Sequence, residues 1–368
     1  MIRARDLGIP FEGNPGEFNS ITDVEDVLIG HTTLIEGNGT LEIGKGPIRT
    51  GVTAILPRGM TFDPVFAGWY ALNGNGEMTG TTWIEESGFL GGPIALTNTH
   101  SVGVVHDALI AWQNKQQHCN PTSSAHYWLL PIVAETFDGF LNDINGQHIT
   151  REHVFAALDQ ATGGRIAEGT VGGGTGMTCH GFKGGIGTAS RVLAEEDGGY
   201  TVGVLVQANH GRQKDLTIAG VPIGKHVTDP GCISETEIPA GAGSIIVVVA
   251  TNAPLLPHQL KRLARRVPMG LARVGSHGSH FSGDIFVAFS TANPGAAQQK
   301  GLVALTMLPN DQMNPLFDAT IQATEEAILN AMVTATEVVG INGNRAQALP
   351  HAQVRELLQA YNRLNREG

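Results

Sequence analysis

The feature of the sequence that most constrains the fold is a run of five β-branched residues, Ile245 to Val249. A short continuous apolar run of this kind predicts a strand that is buried on both faces, and therefore a sheet covered by other layers. Gly243 and Ser244 stand directly before the run. Because glycine has no Cβ, the peptide bond that enters Ser244 can adopt backbone geometries that other residues resist.

A serine hydroxyl beside such a peptide bond can attack it and pass the acyl group from nitrogen to oxygen. Hydrolysis of the resulting ester would leave Ser244 as a new N-terminus. A free α-amine has a pKa near ~8, against ~10.4 for lysine, so much of it is neutral at cellular pH. An N-terminal serine therefore carries the base that its hydroxyl needs to act as a nucleophile. A glycine-rich turn into a buried strand is the simpler alternative, and this stretch alone leaves both open.

Length, charge and cysteine usage narrow the class of protein. The 368 residues show no repeat and no shift in composition, so we expect a single domain over residues 1–368. A net charge of −11 without a basic block argues against a nucleic-acid partner. Met1–Asp6 lacks the apolar core of a signal peptide, and no apolar run is long enough to span a membrane. The cysteines Cys119, Cys179 and Cys232 are widely spaced, which favours a reduced cytoplasmic protein.

Hydrophobic patterning predicts strands and helices in both halves of the chain. Strands are expected after Val24 and at Gly51–Pro57, Pro93–Thr99, Leu129–Gly139, Thr201–Asn209 and Asp284–Ser290. Helices are expected at Val105–Gln116, at His153–Thr162, at Pro257–Arg266, from about Pro315 through Ala335, and at residues 352–364. Residues 212–240 are polar and contain several Pro and Gly, which predicts a long exposed linker. A layered sheet sandwich with helices outside fits this order.

Polar residues near strand ends supply candidate catalytic groups. Ser282 and Asp284 are two residues apart, so in an extended segment they point to one face, where a carboxylate can polarise a hydroxyl. Asn209 ends a strand, and its amide can donate to an oxyanion; loss of such a donor costs about 2.7–4 kcal/mol in a serine hydrolase. Glu135 can pair with a substrate ammonium. Taken singly, residues of these types are more often found in turns, as strand caps and as surface acids.

Three other kinds of site are disfavoured. His277 and His280 have no third ligand at a suitable spacing, so we expect no metal centre. The glycine-rich segment Gly169–Met177 lacks both a following GK[ST] and the Rossmann spacing, so no nucleotide cofactor is expected. The sequence contains no GxSxG elbow of an α/β-hydrolase.

Taken in order, these motifs resemble the L-aminopeptidase/D-esterase-amidase family, the DmpA-like β-aminopeptidases. The matching segments span almost the whole chain: Asn19–Val24, Asn73–Gly80, Ala134–Thr136, Gly172–Gly176, Val206–Asn209, Gly243–Ser244 and Ser282–Asp284. The resemblance implies an α+β fold, a four-layer αββα sandwich like that of N-terminal-nucleophile hydrolases but with a different strand connectivity. It also implies a precursor that cuts itself between Gly243 and Ser244 into fragments 1–243 and 244–368. The paired fragments would form homo-oligomers, commonly tetramers or larger.

The resemblance further implies an activity and a role for each candidate. Such enzymes release N-terminal residues, in many members including β-amino acids, from small peptides, amides and esters. Ser244 would be the nucleophile, and its freed amine would accept the proton. Ser282 and Asp284 would orient that pair, Asn209 would donate to the oxyanion, and Glu135 would hold the substrate ammonium.

Two positions depart from the family pattern. Asp284 stands where members often carry Glu, so we expect its contact with Ser282 or Ser244 to need a backbone shift or a water. Phe137 stands where Tyr or Trp is more usual, so a hydrogen bond from that ring to the substrate would be missing. Two other functions stay open: an acyltransferase of the ornithine acetyltransferase kind, whose nucleophile is threonine, and an unprocessed binding protein on the same scaffold.

Overall fold

The computed structural model describes residues 2–116, 128–234, 243–298 and 300–364. Its strands, numbered in chain order, are β1 Leu28–Glu36, β2 Ile48–Met60, β3 Val65–Ala71, β4 Phe89–Leu90, β5 Ile94–Asn98, β6 Ile132–Thr136, β7 Thr178–Cys179, β8 Phe182–Lys183, β9 Gly185–Val192, β10 Thr201–Asn209, β11 Cys232–Ile233, β12 Ser244–Thr251, β13 Asp284–Ser290, β14 Val338–Val339 and β15 Arg345–Ala346. Its α-helices are α1 Thr81–Ser87, α2 Val102–Lys115, α3 Arg151–Asp159, α4 Ile223–His226, α5 Pro257–Ala264, α6 Val267–Arg273, α7 Asn314–Val333 and α8 His351–Ala360.

Two large β-sheets form the centre of the fold. One has six strands in the order β4-β3-β13-β12-β10-β9, and the other has four in the order β1-β2-β5-β6. In the six-stranded sheet β12 runs parallel to β13 and antiparallel to β10. The five-residue apolar run thus lies in the centre of a sheet, as the sequence predicts.

Apolar side chains form three layers. The layer between the two sheets takes side chains from both, among them Ile29, Leu96, Ile246, Val287 and Phe289. Outside the four-stranded sheet, a second layer includes side chains of α2 and α3, such as Leu109, Trp112 and Leu158. Outside the six-stranded sheet, a third includes side chains of α5, α6 and α7, such as Leu263, Leu271 and Ala327. This arrangement is αββα, so the expected α+β sandwich is confirmed.

These layers explain why polar and apolar residues do not alternate along β12. Ile246 and Val248 belong to the layer between the sheets, whereas Val247 and Val249 belong to the layer under the helices. Successive side chains of a strand point to opposite faces, and here each face is covered. A strand in that position needs apolar residues at every place.

Most of the expected elements are present, and one prediction is wrong. The strands Thr201–Asn209 and Asp284–Ser290 have the predicted bounds. The predicted exposed linker covers residues 212–240. Its described part, residues 212–234, is not an exposed linker. It contains α4 and β11, and it buries the side chains Leu216, Ile218, Val221 and Ile223 in the layer under the helices.

Some sequence-based expectations fall on residues outside the described ranges. These are the last part of the predicted linker, the turn that precedes Gly243, and Cys119. Where the chain is described, none of its helices combines the length and the apolar character required to cross a membrane.

Candidate active site

Ser244 is the first residue of β12 and is 6 % exposed. Its Oγ accepts a hydrogen bond of 2.9 Å from the backbone N–H of Gly283. The parallel register pairs Ile245 with Asp284, so the starts of β12 and β13 lie side by side. The sheet therefore brings Ser244 against the segment Ser282–Asp284, as the family resemblance implies.

Asp284 is held by donors on two sides. Ser282 Oγ donates to its Oδ1 at 2.5 Å, and the backbone N–H of Ile245 donates to the same oxygen at 3.2 Å. Burial raises the pKa of the Asp284 carboxyl, although these hydrogen bonds oppose the rise. The expectation of a backbone shift or a water between Asp284 and Ser282 is wrong. Ser282 lies two residues before Asp284, the first residue of β13, and at this separation the short side chain reaches the hydroxyl directly.

Asn73 is a site residue that the sequence pattern did not single out. Its Oδ1 accepts from the backbone N–H of Asp284 at 2.6 Å, and its Nδ2 donates to Asp284 Oδ2 at 3.2 Å. The same Nδ2 lies 3.1 Å from the carbonyl oxygen of Ser279. In the sequence, Asn73 starts an Asn/Gly-rich turn, and nothing in that pattern distinguishes it from an ordinary turn residue.

Asn209 ends β10 directly opposite Ser244 in the antiparallel register. Its Oδ1 accepts from the backbone N–H of Thr178 at 2.8 Å, and its Nδ2 donates to the carbonyl oxygen of Phe137 at 3.0 Å. A primary amide has two N–H donors, so one remains for a substrate oxygen. Phe137 thus acts here through its backbone, while its side chain is 50 % exposed.

Glu135 lies in β6 of the other sheet and is buried. Its Oε1 accepts from the backbone N–H of Glu77 at 2.9 Å, and Oε2 accepts from the Thr99 hydroxyl. Burial raises the pKa of this carboxyl. A Cβ on Gly76 would lie 3.4 Å from Glu135 Oε1 and 3.1 Å from Gly283 Cα. Gly76 therefore lies between Glu135 and Gly283, whose backbone N–H contacts Ser244.

A partly open cavity lies next to Gly243, the residue before Ser244. It encloses about 290 Å³, its open mouth included, and its lining contains Gly243, Ser282 and His210. His277 also lines it, but its Nε2 lies 3.9 Å from Asp215 Oδ1, which makes it a partner of that carboxylate. His280 packs its ring against Phe281.

A buried serine at the head of a central strand, beside a hydroxyl–carboxylate pair in an αββα sandwich, defines a serine hydrolase of the N-terminal-nucleophile layering. The chain belongs to peptidase family S58, because the model of that family, described as "Peptidase family S58", matches residues 19–346.

Relatives and solved structures agree with this assignment. The chain is 51 % identical to the beta-peptidyl aminopeptidase BapA of Sphingosinicella microcystinivorans, over 98 % of this chain and 93 % of the relative. It is 48 % identical to a protein of the same name from Sphingosinicella xenopeptidilytica, over 97 % of this chain and 91 % of the relative.

Two solved structures share the fold. The L-aminopeptidase D-Ala-esterase/amidase of Ochrobactrum anthropi superposes with a TM-score of 0.91 at 46 % identity, covering 98 % of this chain and 99 % of that one. A Burkholderia sp. beta-aminopeptidase gives 0.88 at 48 % identity, with coverage of 98 % and 99 %. The Ochrobactrum structure is described as a prototype for the serine aminopeptidases and a new variant among the Ntn hydrolase fold. The resemblance stated from the sequence is confirmed, and the protein is an aminopeptidase.

Proposed function

We propose that the protein is a self-processed serine aminopeptidase with Ser244 as nucleophile, and that it releases N-terminal residues, β-amino acids among them, from short peptides, amides and esters. The observation that carries the proposal is the position of Ser244 Oγ, 2.9 Å from the Gly283 N–H and next to the Ser282–Asp284 pair. The names of the Sphingosinicella and Burkholderia relatives support the β-amino acid substrates.

The first step is cleavage of the chain itself. Ser244 Oγ attacks the carbonyl carbon of Gly243; a C–O bond forms, the C–N bond breaks, and the hydroxyl proton passes to the leaving nitrogen. Water then hydrolyses the ester and gives fragments 1–243 and 244–368. The backbone of Gly243 has φ +144°, a conformation that glycine adopts readily and other residues rarely do.

Substrate turnover uses the same serine with a new base. The freed α-amine of Ser244 takes the Oγ proton while Oγ attacks the substrate carbonyl. The remaining Asn209 N–H donates to the oxyanion, and the ionised Asp284 orients the Ser282 hydroxyl toward the reacting pair. Glu135 holds the substrate ammonium, which restricts attack to the first residue of a peptide. Water completes the cycle by hydrolysing the acyl-enzyme.

Assembly into homo-oligomers, tetramers or larger, belongs to the same proposal. Its support is an exposed apolar segment near the start of α7, in which Leu302 is 99 % exposed and Leu305 and Met307 are 44 % and 46 % exposed. Contiguous exposed apolar surface is typical of interfaces between proteins. A cytoplasmic location stays a prediction from the cysteine usage.

Denaturing electrophoresis and intact mass measurement test the proposal. We expect the purified wild-type protein to contain fragments that begin at Met1 and Ser244, and the Ser244→Ala protein to stay whole and inactive. Ser87→Ala, which changes a hydroxyl bonded to the Trp83 carbonyl oxygen, is the matched control and should be cleaved and active. An undivided chain in an active wild-type preparation would overturn the mechanism.

The substrate class needs its own measurement. A panel that pairs β-alanyl nitroanilide with L- and D-alanyl nitroanilide compares kcat/KM for isomeric residues: β-alanine has one more backbone methylene and no side-chain methyl, and the two alanines differ in handedness. We expect turnover of the β-alanyl substrate. Its absence in a cleaved preparation active on L-alanyl nitroanilide would remove the β-amino acid part of the proposal and leave the mechanism intact.

A further inference from the structure

A buried group of metal-binding side chains lies beside the active site. Cys179 ends β7, His180 follows it, and His210 follows β10. These three side chains are buried, with exposures of 0 %, 0 % and 3 %. Cys179 Sγ and one ring nitrogen of each histidine lie within 4.8 Å of one another. A backbone hydrogen bond of 2.7 Å, from His180 N–H to the His210 carbonyl oxygen, ties the two segments together.

Both imidazole rings have a buried nitrogen without a partner. Nε2 of His180 and Nε2 of His210 have no hydrogen-bond partner among the described residues. Nδ1 of His180 lies 3.3 Å from the carbonyl oxygen of Arg212, which can only accept. That nitrogen therefore carries the proton, and Nε2 presents a free lone pair. Leaving such a group unpaired in the interior costs free energy, which a bound cation would recover.

Burial keeps these groups in a state that a cation can use. It lowers the pKa of His180 to about 4 and that of His210 well below its ordinary value, so both rings are neutral at physiological pH. It raises the pKa of the Cys179 thiol to about 12, because the loss of hydration outweighs the opposing effects of the His210 backbone and of Lys183. Neutral imidazole is the ligand form, and a metal ion is the partner that stabilises a buried thiolate.

We propose that Cys179, His180 and His210 form a binding site for a divalent cation of the zinc type. One sulfur and two nitrogen donors suit a borderline-soft ion that prefers tetrahedral coordination. Cys179 Sγ lies 3.7 Å from the nearer ring nitrogen of His210, Nδ1, so the two side chains are close enough to share one ion at the usual ligand distances of about 2.0–2.3 Å. Binding breaks the S–H bond, forms a metal–sulfur bond and releases the proton to solvent.

Neighbouring groups leave the site accessible and free of strong repulsion. His210 lines the cavity that opens toward Gly243 and Ser282, which gives an ion a way in. Lys183, the cation that acts on Cys179, donates its Nζ hydrogens to the carbonyl oxygens of Gly174, Met177 and Gly184. Burial lowers the pKa of Lys183 to about 7, so its repulsion of a bound cation weakens as the pH rises.

The site is also connected to the Asn209 side chain. Thr178 immediately precedes Cys179, and its backbone N–H is the donor to Asn209 Oδ1; His210 immediately follows Asn209. An ion that holds Cys179 to His210 would therefore fix both segments that position this amide. The binding proposal itself does not depend on the function proposed for Asn209.

Cobalt titration of the wild-type protein at pH 8 tests the site. We expect a thiolate-to-Co²⁺ charge-transfer band that saturates at one equivalent per chain and disappears when Zn²⁺ is added. Cys179→Ala should lose the band and bind Zn²⁺ at least about ten-fold more weakly, since even the loss of a residue that only orients a ligand costs 10–100-fold. His180→Asn, at a position with φ +47° that Asn tolerates, should weaken binding and keep the band.

The controls separate this site from other metal-binding side chains. Cys232→Ala removes the other free cysteine described, and His277→Ala removes an exposed histidine of the same cavity; both should titrate like the wild type. A wild-type protein without a charge-transfer band would overturn the proposal without the use of any variant. So would a band that survives in Cys179→Ala or disappears in Cys232→Ala.

Discussion

At the scale of single residues, burial and hydrogen bonds have opposite effects on the pKa of the Asp284 carboxyl. It is buried, which raises its pKa, yet Ser282, Asn73 and the Ile245 N–H donate hydrogen bonds that favour the charged form. The proposed orienting role needs that charged form, because an ionised carboxylate is the stronger acceptor for the Ser282 O–H. Donors to Asp284 should therefore control the acid limb of the pH–rate profile.

Asn73→Ala is expected to shift that limb. The substitution removes the N–H donor to Asp284 Oδ2, so the pKa of Asp284 rises further and activity is lost at a higher pH as the solution is acidified. A hydrogen bond to a charged group contributes about 1.5–3 kcal/mol, so kcat/KM should fall about ten-fold or more near neutral pH. Asn75→Ala, which removes an exposed amide bonded to the Phe281 carbonyl oxygen, is the control. An acid limb that stays in place in Asn73→Ala would show that Asn73 does not position Asp284.

Gly243→Ala is expected to slow self-cleavage severely. The residue has φ +144°, and an added Cβ would lie 2.4 Å from the carbonyl oxygen of Asn209, so the scissile peptide would have to move away from Ser244 Oγ. The measurement is the fraction of undivided chain over time on denaturing gels. Gly103→Ala, a glycine in α2 with open space around it, should be cleaved at the wild-type rate. Equal rates for the two variants would contradict the argument.

Sequence reasoning identified those site residues that share a local pattern. Ser282 and Asp284 are two apart, and Ser244 is marked by the glycine before it and the strand after it. Asn73 contacts Asp284 across 211 residues of chain, and Thr99, which directly follows β5, reaches Glu135 in the neighbouring strand β6. Contacts of this kind depend on which strands pair, and no single-sequence pattern encodes that.

At the scale of elements, β12 depends on apolar contacts on both of its faces. Ile246→Ala removes a side chain that is 0 % exposed in the layer between the sheets, so it leaves a cavity there. We expect a loss of about 2–5 kcal/mol in the free energy of unfolding, measured by urea titration. Ile35→Ala in β1, where the side chain is 53 % exposed, should cost much less. Equal losses in the two variants would mean that the layer between the sheets is not tightly packed.

The elements that could be predicted are those with an uninterrupted pattern. β10 and β13 are long apolar strands, and both have the predicted bounds. The error lies in the segment that starts at residue 212, where Leu216, Ile218, Val221 and Ile223 are dispersed among polar, Pro and Gly residues. The average composition of such a segment is therefore that of a linker. Its burial is decided by a tertiary partner, the apolar layer under the helices.

At the scale of the whole molecule, Asp138 makes stability depend on pH. It is fully buried, and burial raises its pKa to about 7, although Asn142 Nδ2 donates to its Oδ1 at 3.0 Å. The folded state therefore holds a proton that the unfolded chain, with an ordinary pKa of 3.8, releases. This contribution to stability is fully present below about pH 4 and is lost as the pH rises through about 7.

Asp138→Asn should remove that contribution. Urea unfolding of both proteins between pH 4 and pH 8 gives the difference in unfolding free energy, and the wild type should lose stability relative to the variant as the pH rises. The other buried titrating groups are common to both proteins and cancel in the difference. A difference that is constant with pH would show that Asp138 is ionised in the folded protein throughout this range.

The sheet order predicts that the two fragments of the proposed cleavage stay together. β12 and β13, from the C-terminal fragment, lie between β10 and β3, from the N-terminal fragment, and are hydrogen-bonded to both. We expect fragments 1–243 and 244–368 to co-elute in size-exclusion chromatography and to separate only in denaturant. Separation of the fragments in native buffer would contradict this sheet order.

The same strand order has a consequence for when the chain must fold relative to the proposed cleavage. A cleaved and unfolded chain would have to insert β12 and β13 between β3 and β10. Those two strands belong to one sheet only when β12 and β13 are in place. Folding must therefore precede the proposed cleavage, which would remove the covalent connection that guides it. A mature enzyme that has been denatured is then not expected to recover, whereas its uncut Ser244→Ala counterpart keeps its route back.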